Sequence, residues 1–222
     1  DLWKFGCDMG LKELAQVAEG RSPHLTRHPK GKPFLINFPI IQERLKIRDG
    51  LDWELNGIIR IRPDQQGRKT NVKAGMSSWF MQDEYPQFQE VGDLAIEIAK
   101  KNSPYAMDMN LYDIWSAKYV KDDFTKFHDH WPHIWSFVYY LKFPKGSSPL
   151  IFCNGYEKEH IVTPNEGDIL MWPSWIPHRV DPQPFQKERI IIAGNISPDY
   201  QPKNRRNTNF WTEEELSKKT IF

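Results

Sequence analysis

From about residue 110 this chain is a succession of short apolar runs, each stopped by glycine or proline. The runs are Thr125 to His130, Trp135 to Phe143, Leu150 to Asn154, His160 to Val162, Asp168 to Trp172 and Glu188 to Ile196. The breaks are Lys145-Gly146-Ser147-Ser148-Pro149, Asn154-Gly155, Pro164-Asn165-Glu166-Gly167 and Asp181-Pro182-Gln183-Pro184. Glycine supplies backbone angles that other residues avoid, and proline removes a ladder donor, so such clusters end strands. Evenly spaced short strands with these turns predict a β sandwich or barrel. The 17 prolines argue against a helical bundle, and the 9 Trp, 13 Phe and 8 Tyr argue against disorder. The expected fold is mainly β with flanking helices, built on a jelly-roll, cupin-like core over residues 110–198.

The chain's 222 residues suit one domain. Residues 1–109 form its helix and strand support and the substrate side, and 199–222 a tail. In the first part, Val91, Leu94, Ala95, Ile98 and Ala99 fall at helical spacing and predict a helix over Pro86 to Lys101. A second, short helix is expected over Met9 to Ala18. Gly57-Ile58-Ile59-Arg60-Ile61-Arg62 alternates partially and predicts a strand over Asn56 to Pro63. A polar loop follows at Asp64 to Lys69. The tail, Gln201 to Phe222, is polar and basic, then partly helical near Thr212-Glu213-Glu214-Glu215.

Charge excludes some partners. The 30 basic and 29 acidic residues leave a formal net charge of +1, so no overall field favours nucleic acid or an anionic membrane. Lys203, Arg205 and Arg206 read as a solvated tail rather than a phosphate track. No run reaches the 18 or so apolar residues that a membrane helix needs, and the first residues lack the layout of a secretory signal. Two cysteines, Cys7 and Cys153, cannot make a disulfide framework. A cytoplasmic location is expected. Nothing in the sequence fixes the oligomeric state.

Chemistry concentrates in the histidines. His128, His130 and His133 stand in Phe127-His128-Asp129-His130-Trp131-Pro132-His133, and His178 follows fifty residues after His128. On a strand, residues i and i+2 share a face, so His128 and His130 would point together with Asp129 opposite. Joined by a distant His178, they form a facial three-ligand set suited to Fe(II), Zn(II) or Mn(II). The plainer alternative is a surface or capping pair. His133 reads as a surface or supporting residue, and His24, His28 and His160 as structural. Arg189 opens the almost wholly apolar Arg189-Ile190-Ile191-Ile192-Ala193, where a guanidinium is costly without a partner. A bound dicarboxylate would suit its bidentate fork; a nearby surface Asp or Glu is the equal alternative.

Four ordered elements carry a family resemblance: His128-Asp129-His130, then Ser136-Phe137-Val138-Tyr139-Tyr140-Leu141, then Gly167 to Pro182 around Pro173-Ser174 and His178, then Arg189 to Asn195. The pattern resembles the Fe(II)- and 2-oxoglutarate-dependent dioxygenase superfamily, and within it the small prolyl-hydroxylase-like oxygenases of marine bacteria and phages. It covers roughly residues 110–197. Thr70-Asn71-Val72 and Trp79 add a weaker likeness.

The resemblance implies a double-stranded β-helix and a single oxygenase domain spanning 1–222. It implies iron on His128, His130 and His178, which are also the catalytic set. The family's usual motif is His-x-Asp or His-x-Glu, and position 130 is His, so Asp129 is the rival third ligand should the strand bulge. Arg189 matches the residue that pairs with the far carboxylate of 2-oxoglutarate, and Tyr140 a tyrosine that donates to the same carboxylate, with Tyr139 on the opposite face. The Ser or Thr often found two residues after the Arg is replaced by Ile191. Asn195 shares Arg189's face by alternation; it lines the cosubstrate pocket or is a buried Asn bonded to backbone. Trp172 and Trp175 wall the entrance or pack in the core. The cofactors implied are Fe(II), 2-oxoglutarate and O2, for hydroxylation of a C–H bond in a small molecule or peptide, such as a prolyl or other amino-acid residue, with release of succinate and CO2. The alternatives are a cupin-like three-histidine metalloenzyme that does not use 2-oxoglutarate, and a non-enzymatic jelly-roll binding module.

Overall fold

The computed structural model describes residues 38–61, 70–103, 106–153 and 159–198. Its strands are β1 (Ile41–Arg44), β2 (Val72–Lys73), β3 (Gly75–Met76), β4 (Met109–Tyr119), β5 (Phe124–His128), β6 (Trp135–Lys142), β7 (Leu150–Cys153), β8 (Glu159–Val162), β9 (Asp168–Pro173), β10 (His178–Val180) and β11 (Arg189–Pro198). The helices are α1 (Leu51–Ile61) and α2 (Pro86–Asn102), with a 3-10 turn at Met81–Asp83. The strands form two sheets. The larger runs β1-β9-β6-β11-β4-β3 and the smaller β2-β5-β10-β7-β8. Neighbouring strands in both are antiparallel. This is the expected double-stranded β-helix.

The central strands of the larger sheet are buried on both faces, which explains their unbroken apolar sequences. On one face Phe137, Tyr139, Leu141, Ile169, Met171, Ile190 and Ile192 meet the helices through Leu51, Leu55, Ile59, Phe88, Val91 and Ala95. On the other face Trp115, Ala117, Tyr119, Val138, Tyr140, Leu170, Trp172, Ile191 and Ala193 meet the smaller sheet through Leu150, Phe152 and Val180. Two cores therefore flank one sheet, and alternate residues of each strand divide between them. Gly194 lies where backbone and ring crowd together. A Cβ there would stand 2.7 Å from the Asp113 carbonyl oxygen and 2.7 Å from Phe137 Cζ.

The helix expected over Pro86 to Lys101 is α2, with Pro86 in its first turn and Lys100 and Lys101 in its last. The strand expected over Asn56 to Pro63 is not one: residues 51–61 are helix α1. Leu51, Leu55 and Ile59 are buried at four-residue spacing, whereas the apparent alternation near Ile59 and Ile61 is too short to outweigh that periodicity. Asp52 and Glu54 in the first turn and Arg60 in the last suit the helix dipole. The expectations for Met9 to Ala18, Asp64 to Lys69 and the tail lie outside the described residues. Among the described residues, no helix is long and apolar enough to cross a membrane.

Strand β4, which no run above identified, is the longest strand among the described residues. Its alternation breaks midway. Asn195 of β11 pairs with Asp113 and Ile196 with Leu111, so Tyr112 is an extra, bulged residue. The bulge switches the parity: Leu111 and Ile114 face the helices, while Trp115, Ala117 and Tyr119 face the smaller sheet.

Candidate active site

The site lies between the sheets. His128 ends β5 and His178 begins β10, where the two are direct cross-strand partners. His130 lies two residues past β5. Its backbone N–H donates to the Ser174 carbonyl at 2.8 Å, which holds the segment against the turn after β9. One ligating nitrogen from each of the three rings falls within 4.8 Å of the others. Ring centroids are 4.8 Å apart for His128 and His130, 4.4 Å for His128 and His178, and 5.1 Å for His130 and His178.

Tautomers follow from the hydrogen bonds. His128 Nδ1 lies 2.8 Å from the Lys126 carbonyl oxygen, and His178 Nδ1 lies 3.3 Å from that of Ile176. A carbonyl only accepts, so both Nδ1 atoms carry the proton and both Nε2 lone pairs are free. That is the usual arrangement of a metal-binding histidine with its outer support. Burial, and then the neighbouring imidazoles, push the His130 and His178 pKa values well below the ordinary histidine range. Burial lowers that of His128 as well. Neutral, convergent imidazoles are the form a metal requires.

The other candidates stand apart from this cluster. Asp129 is exposed, and its Oδ1 accepts the Trp131 N–H at 3.1 Å. Among the described residues it belongs to no metal-sized group with the histidines. His133 is half-buried, 2.7 Å from Ser197 Oγ through Nδ1 and 4.5 Å from the Tyr112 ring between centroids, and burial lowers its pKa to about 4. His160 is exposed on β8.

A cavity runs from the three histidines to Arg189, with Trp115, Trp172 and Thr125 among its walls. Arg189 is 1% exposed, and its Nε and Nη1 have no hydrogen-bond partner. Its guanidinium carbon stands 4.6 Å from the Tyr119 ring centre, 5.5 Å from that of Tyr140 and 5.8 Å from that of Phe143. The aromatic faces favour the cation but leave the N–H groups of Nε and Nη1 unmet. The fully buried Tyr140 hydroxyl also lacks a partner, and burial pushes the phenol up to about 12 against the opposing pull of the Arg189 charge. Tyr139 faces the helices instead, where its hydroxyl donates to Asp52 Oδ1 at 2.5 Å.

The expectation that Asn195 lines this pocket is not met. Its Oδ1 accepts from Ser136 Oγ at 2.8 Å, and its Nδ2 donates to Asp113 Oδ1 at 2.8 Å. Both ends of the amide are engaged by side chains, and neither Asn195 nor Tyr140 is among the residues lining the cavity, although the Tyr140 ring lies against the Arg189 guanidinium that does. Of the two tryptophans, Trp172 is buried against His178 at 4.8 Å between ring centres, with its indole N–H unpartnered. Trp175 is partly exposed and packs on Phe38, with ring centres 4.2 Å apart.

Tyr119 and Thr125 belong to the cavity wall and were not expected there. Tyr119 pairs with Arg189 across β4 and β11. Thr125 is three residues from His128, which alternation would turn outward. The ladder slips between these positions, with Val180 opposite Thr125 and His178 opposite His128, so β5 bulges and both side chains face in.

Residues 113–195 match the family model described as "Putative 2OG-Fe(II) oxygenase". Among curated proteins, none matches this chain in sequence. Solved structures share its fold. A prolyl-4-hydroxylase from Pseudomonas putida is 18% identical with a TM-score of 0.54, covering 83% of this chain and 98% of its own. A Trichoplax adhaerens prolyl hydroxylase, in complex with a peptide fragment of the hypoxia inducible factor oxygen degradation domain, is 14% identical with a TM-score of 0.56, covering 90% and 94%. HygX from Streptomyces hygroscopicus, with nickel, 2-oxoglutarate and hygromycin B bound, is 11% identical with a TM-score of 0.58, covering 72% and 83%. At these identities the likeness speaks for the fold; the match over 113–195 takes in all three clustered histidines and Arg189. Over residues 113–195 the chain is thus similar to the 2OG-Fe(II) oxygenases, and it shares the fold of solved prolyl hydroxylases.

Proposed function

We propose that His128, His130 and His178 hold iron, that Arg189 and Tyr140 hold the far carboxylate of 2-oxoglutarate, and that the enzyme hydroxylates a C–H bond of a prolyl or other amino-acid residue. One observation carries the assignment: a single cavity has three neutral histidines at one end and, at the other, a buried guanidinium with two unpartnered nitrogens. The residues fit the groups. Two histidines have Nε2 free because Nδ1 is bound to a carbonyl, and the orphaned Arg189 and Tyr140 donors suit a carboxylate. When bound, iron with 2-oxoglutarate and O2 supplies the oxidising chemistry that places oxygen in an unactivated C–H bond, releasing succinate and CO2.

The protein's own part is placement and exclusion of water. Arg189 and Tyr140 fix one end of a five-carbon diacid, and the histidine end sets its direction. Val138, Leu150, Val180 and Ile191 close the walls with apolar surface. At the histidine end Trp79 and Trp115 pack edge to face at 4.7 Å, and Trp131 is 72% exposed beside His130. Aromatic faces of this kind suit a compact apolar ring such as that of proline. The peptide preference is supported by the prolyl hydroxylases among the structural neighbours.

The test is 2-oxoglutarate turnover by the iron-loaded enzyme with proline-containing peptides, measuring succinate and peptide mass together. Succinate formation coupled to a gain of one oxygen atom is expected. Succinate without any peptide oxidation would remove the prolyl assignment. Absence of both, with no binding of 2-oxoglutarate, would favour a three-histidine enzyme in which Arg189 receives the substrate's own carboxylate.

A further inference from the structure

Two short rows of rings stand at the histidine end, each taking one ring from residues 79–80, one from β4 and one from the segment after β5. The inner row is Trp79, Trp115 and His130, with ring centres 4.7 Å and 6.1 Å apart. Trp115 and His130 line the cavity. The outer row is Phe80, Tyr112 and His133, with steps of 6.3 Å and 4.5 Å. Strand β4 orders the two rows. Its Tyr119 pairs with Arg189, its Trp115 with Ala193, and Tyr112 lies beyond them, on the side away from Arg189. Phe80 is exposed and Tyr112 and His133 are half-buried, so the outer row is accessible.

The fold holds this row in place. Tyr112 is the bulged residue of β4, and a bulge beside a site re-aims a side chain. The Tyr112 carbonyl accepts from Gln82 Nε2 at 3.2 Å, while Oε1 of that buried amide has no partner. An unmet buried acceptor costs stability, so the bulge is kept against the interest of the fold. Phe80 is bridged to Ile114, whose N–H donates to the Trp79 carbonyl at 3.0 Å. The His133 N–H donates to the His130 carbonyl at 3.1 Å, which ties the outer row to the inner one.

Tyr112 and Trp115 are three residues apart, roughly 10 Å along an extended strand. A polyproline II chain turns once in three residues and rises about 9 Å in doing so. Rings three residues apart on such a chain therefore share a face and match the separation of the two rows. We infer that Phe80, Tyr112 and His133 form a second substrate subsite, which takes a proline ring three residues from the one at the inner row. The enzyme thereby reads a Pro-x-x-Pro spacing. Aromatic faces suit the compact apolar ring of proline, and a chain already extended loses little freedom on docking. This inference rests on the prolyl reading above and gives it a sequence preference.

The experiment measures peptide binding by calorimetry to nickel-loaded protein in the presence of 2-oxoglutarate. Two alanine-rich peptides are compared, one containing Pro-Ala-Ala-Pro and the other Pro-Ala-Pro. Wild type is expected to bind the first about threefold to tenfold more tightly, the scale of one added ring contact. Tyr112→Ala and Phe80→Ala should each bind the two peptides alike. Tyr112→Phe keeps the ring and should keep the preference. Phe80 is exposed, so Phe80→Ala reads the subsite without disturbing the bulge. Equal affinities in wild type would overturn the subsite, and so would a preference that survives in both alanine variants. Iron-loaded enzyme that forms succinate yet leaves both peptides unbound and unoxidised would instead overturn the prolyl reading, and this inference with it.

Discussion

Arg189 is the residue that works against the fold for the sake of the site. A guanidinium with two unmet N–H nitrogens at 1% exposure costs stability in the free protein, despite the aromatic rings around it. Arg189→Met is therefore expected to raise the stability of the ligand-free protein by about 1 kcal/mol or more while abolishing its further stabilisation by 2-oxoglutarate. Urea denaturation with and without the acid checks both halves. A variant less stable than wild type would show that the cation is already satisfied. Position and type made Arg189 visible in the sequence, because a charge at the head of Ile190-Ile191-Ile192 has few explanations. His128 and His130 were visible as a pair two residues apart, and His178 through the resemblance carried by Gly167 to Pro182. The place of Thr125 in the cavity wall was not: it depends on a ladder slip that no side-chain pattern announces.

At the scale of elements, the histidine triad hangs on a buried polar chain. Asp113 of β4 accepts from Asn195 of β11, Asn195 accepts from Ser136 of β6, and Ser136 lies 2.8 Å from Ser174 Oγ. Ser174 in turn receives the His130 N–H on its carbonyl and donates its own N–H to the Ile134 carbonyl at 3.1 Å. Ser136→Ala would leave Asn195 Oδ1 without its donor. It is expected to cost about 1–3 kcal/mol, the range for an unmet buried polar group, and to weaken metal binding through the His130 segment. Thermal melts and a metal titration would show this; intact metal affinity in a destabilised variant would uncouple the chain from the site. The strands that the sequence displayed well were those buried on both faces, since continuous apolar runs between turns have few other readings. Strand β4 was hidden by its own bulge at Tyr112, which breaks the alternation. Helix α1 was misread because a four-residue stretch mimics strand alternation, whereas its true period appears only from Leu51 onward.

For the whole molecule, acid should act through the buried histidines. His128, His130 and His178 are all lowered, and His133 is lowered to about 4, with burial the leading cause in each case. An unfolded histidine titrates near 6.5, so between there and about 4 the unfolded chain takes up protons that the native state refuses. Stability is then full above about pH 7 and falls on acidification. Asp113, which burial pushes up to about 7, works the other way, but it is one group against four. A net loss on the order of a few kcal/mol between pH 7.5 and 5 is expected for the metal-free protein. Denaturant titrations at the two pH values check it, and an unchanged midpoint would contradict the buried, neutral triad. Beyond the match over 113–195 and the shared fold, function turns on the two ends of the cavity, the histidines and Arg189. The most direct test is an anaerobic titration of Fe(II)-loaded protein with 2-oxoglutarate, following the visible charge-transfer absorption. A band is expected that saturates in wild type, weakens in Arg189→Ala and is lost in His178→Ala. A wild-type protein holding stoichiometric iron that develops no band would contradict it.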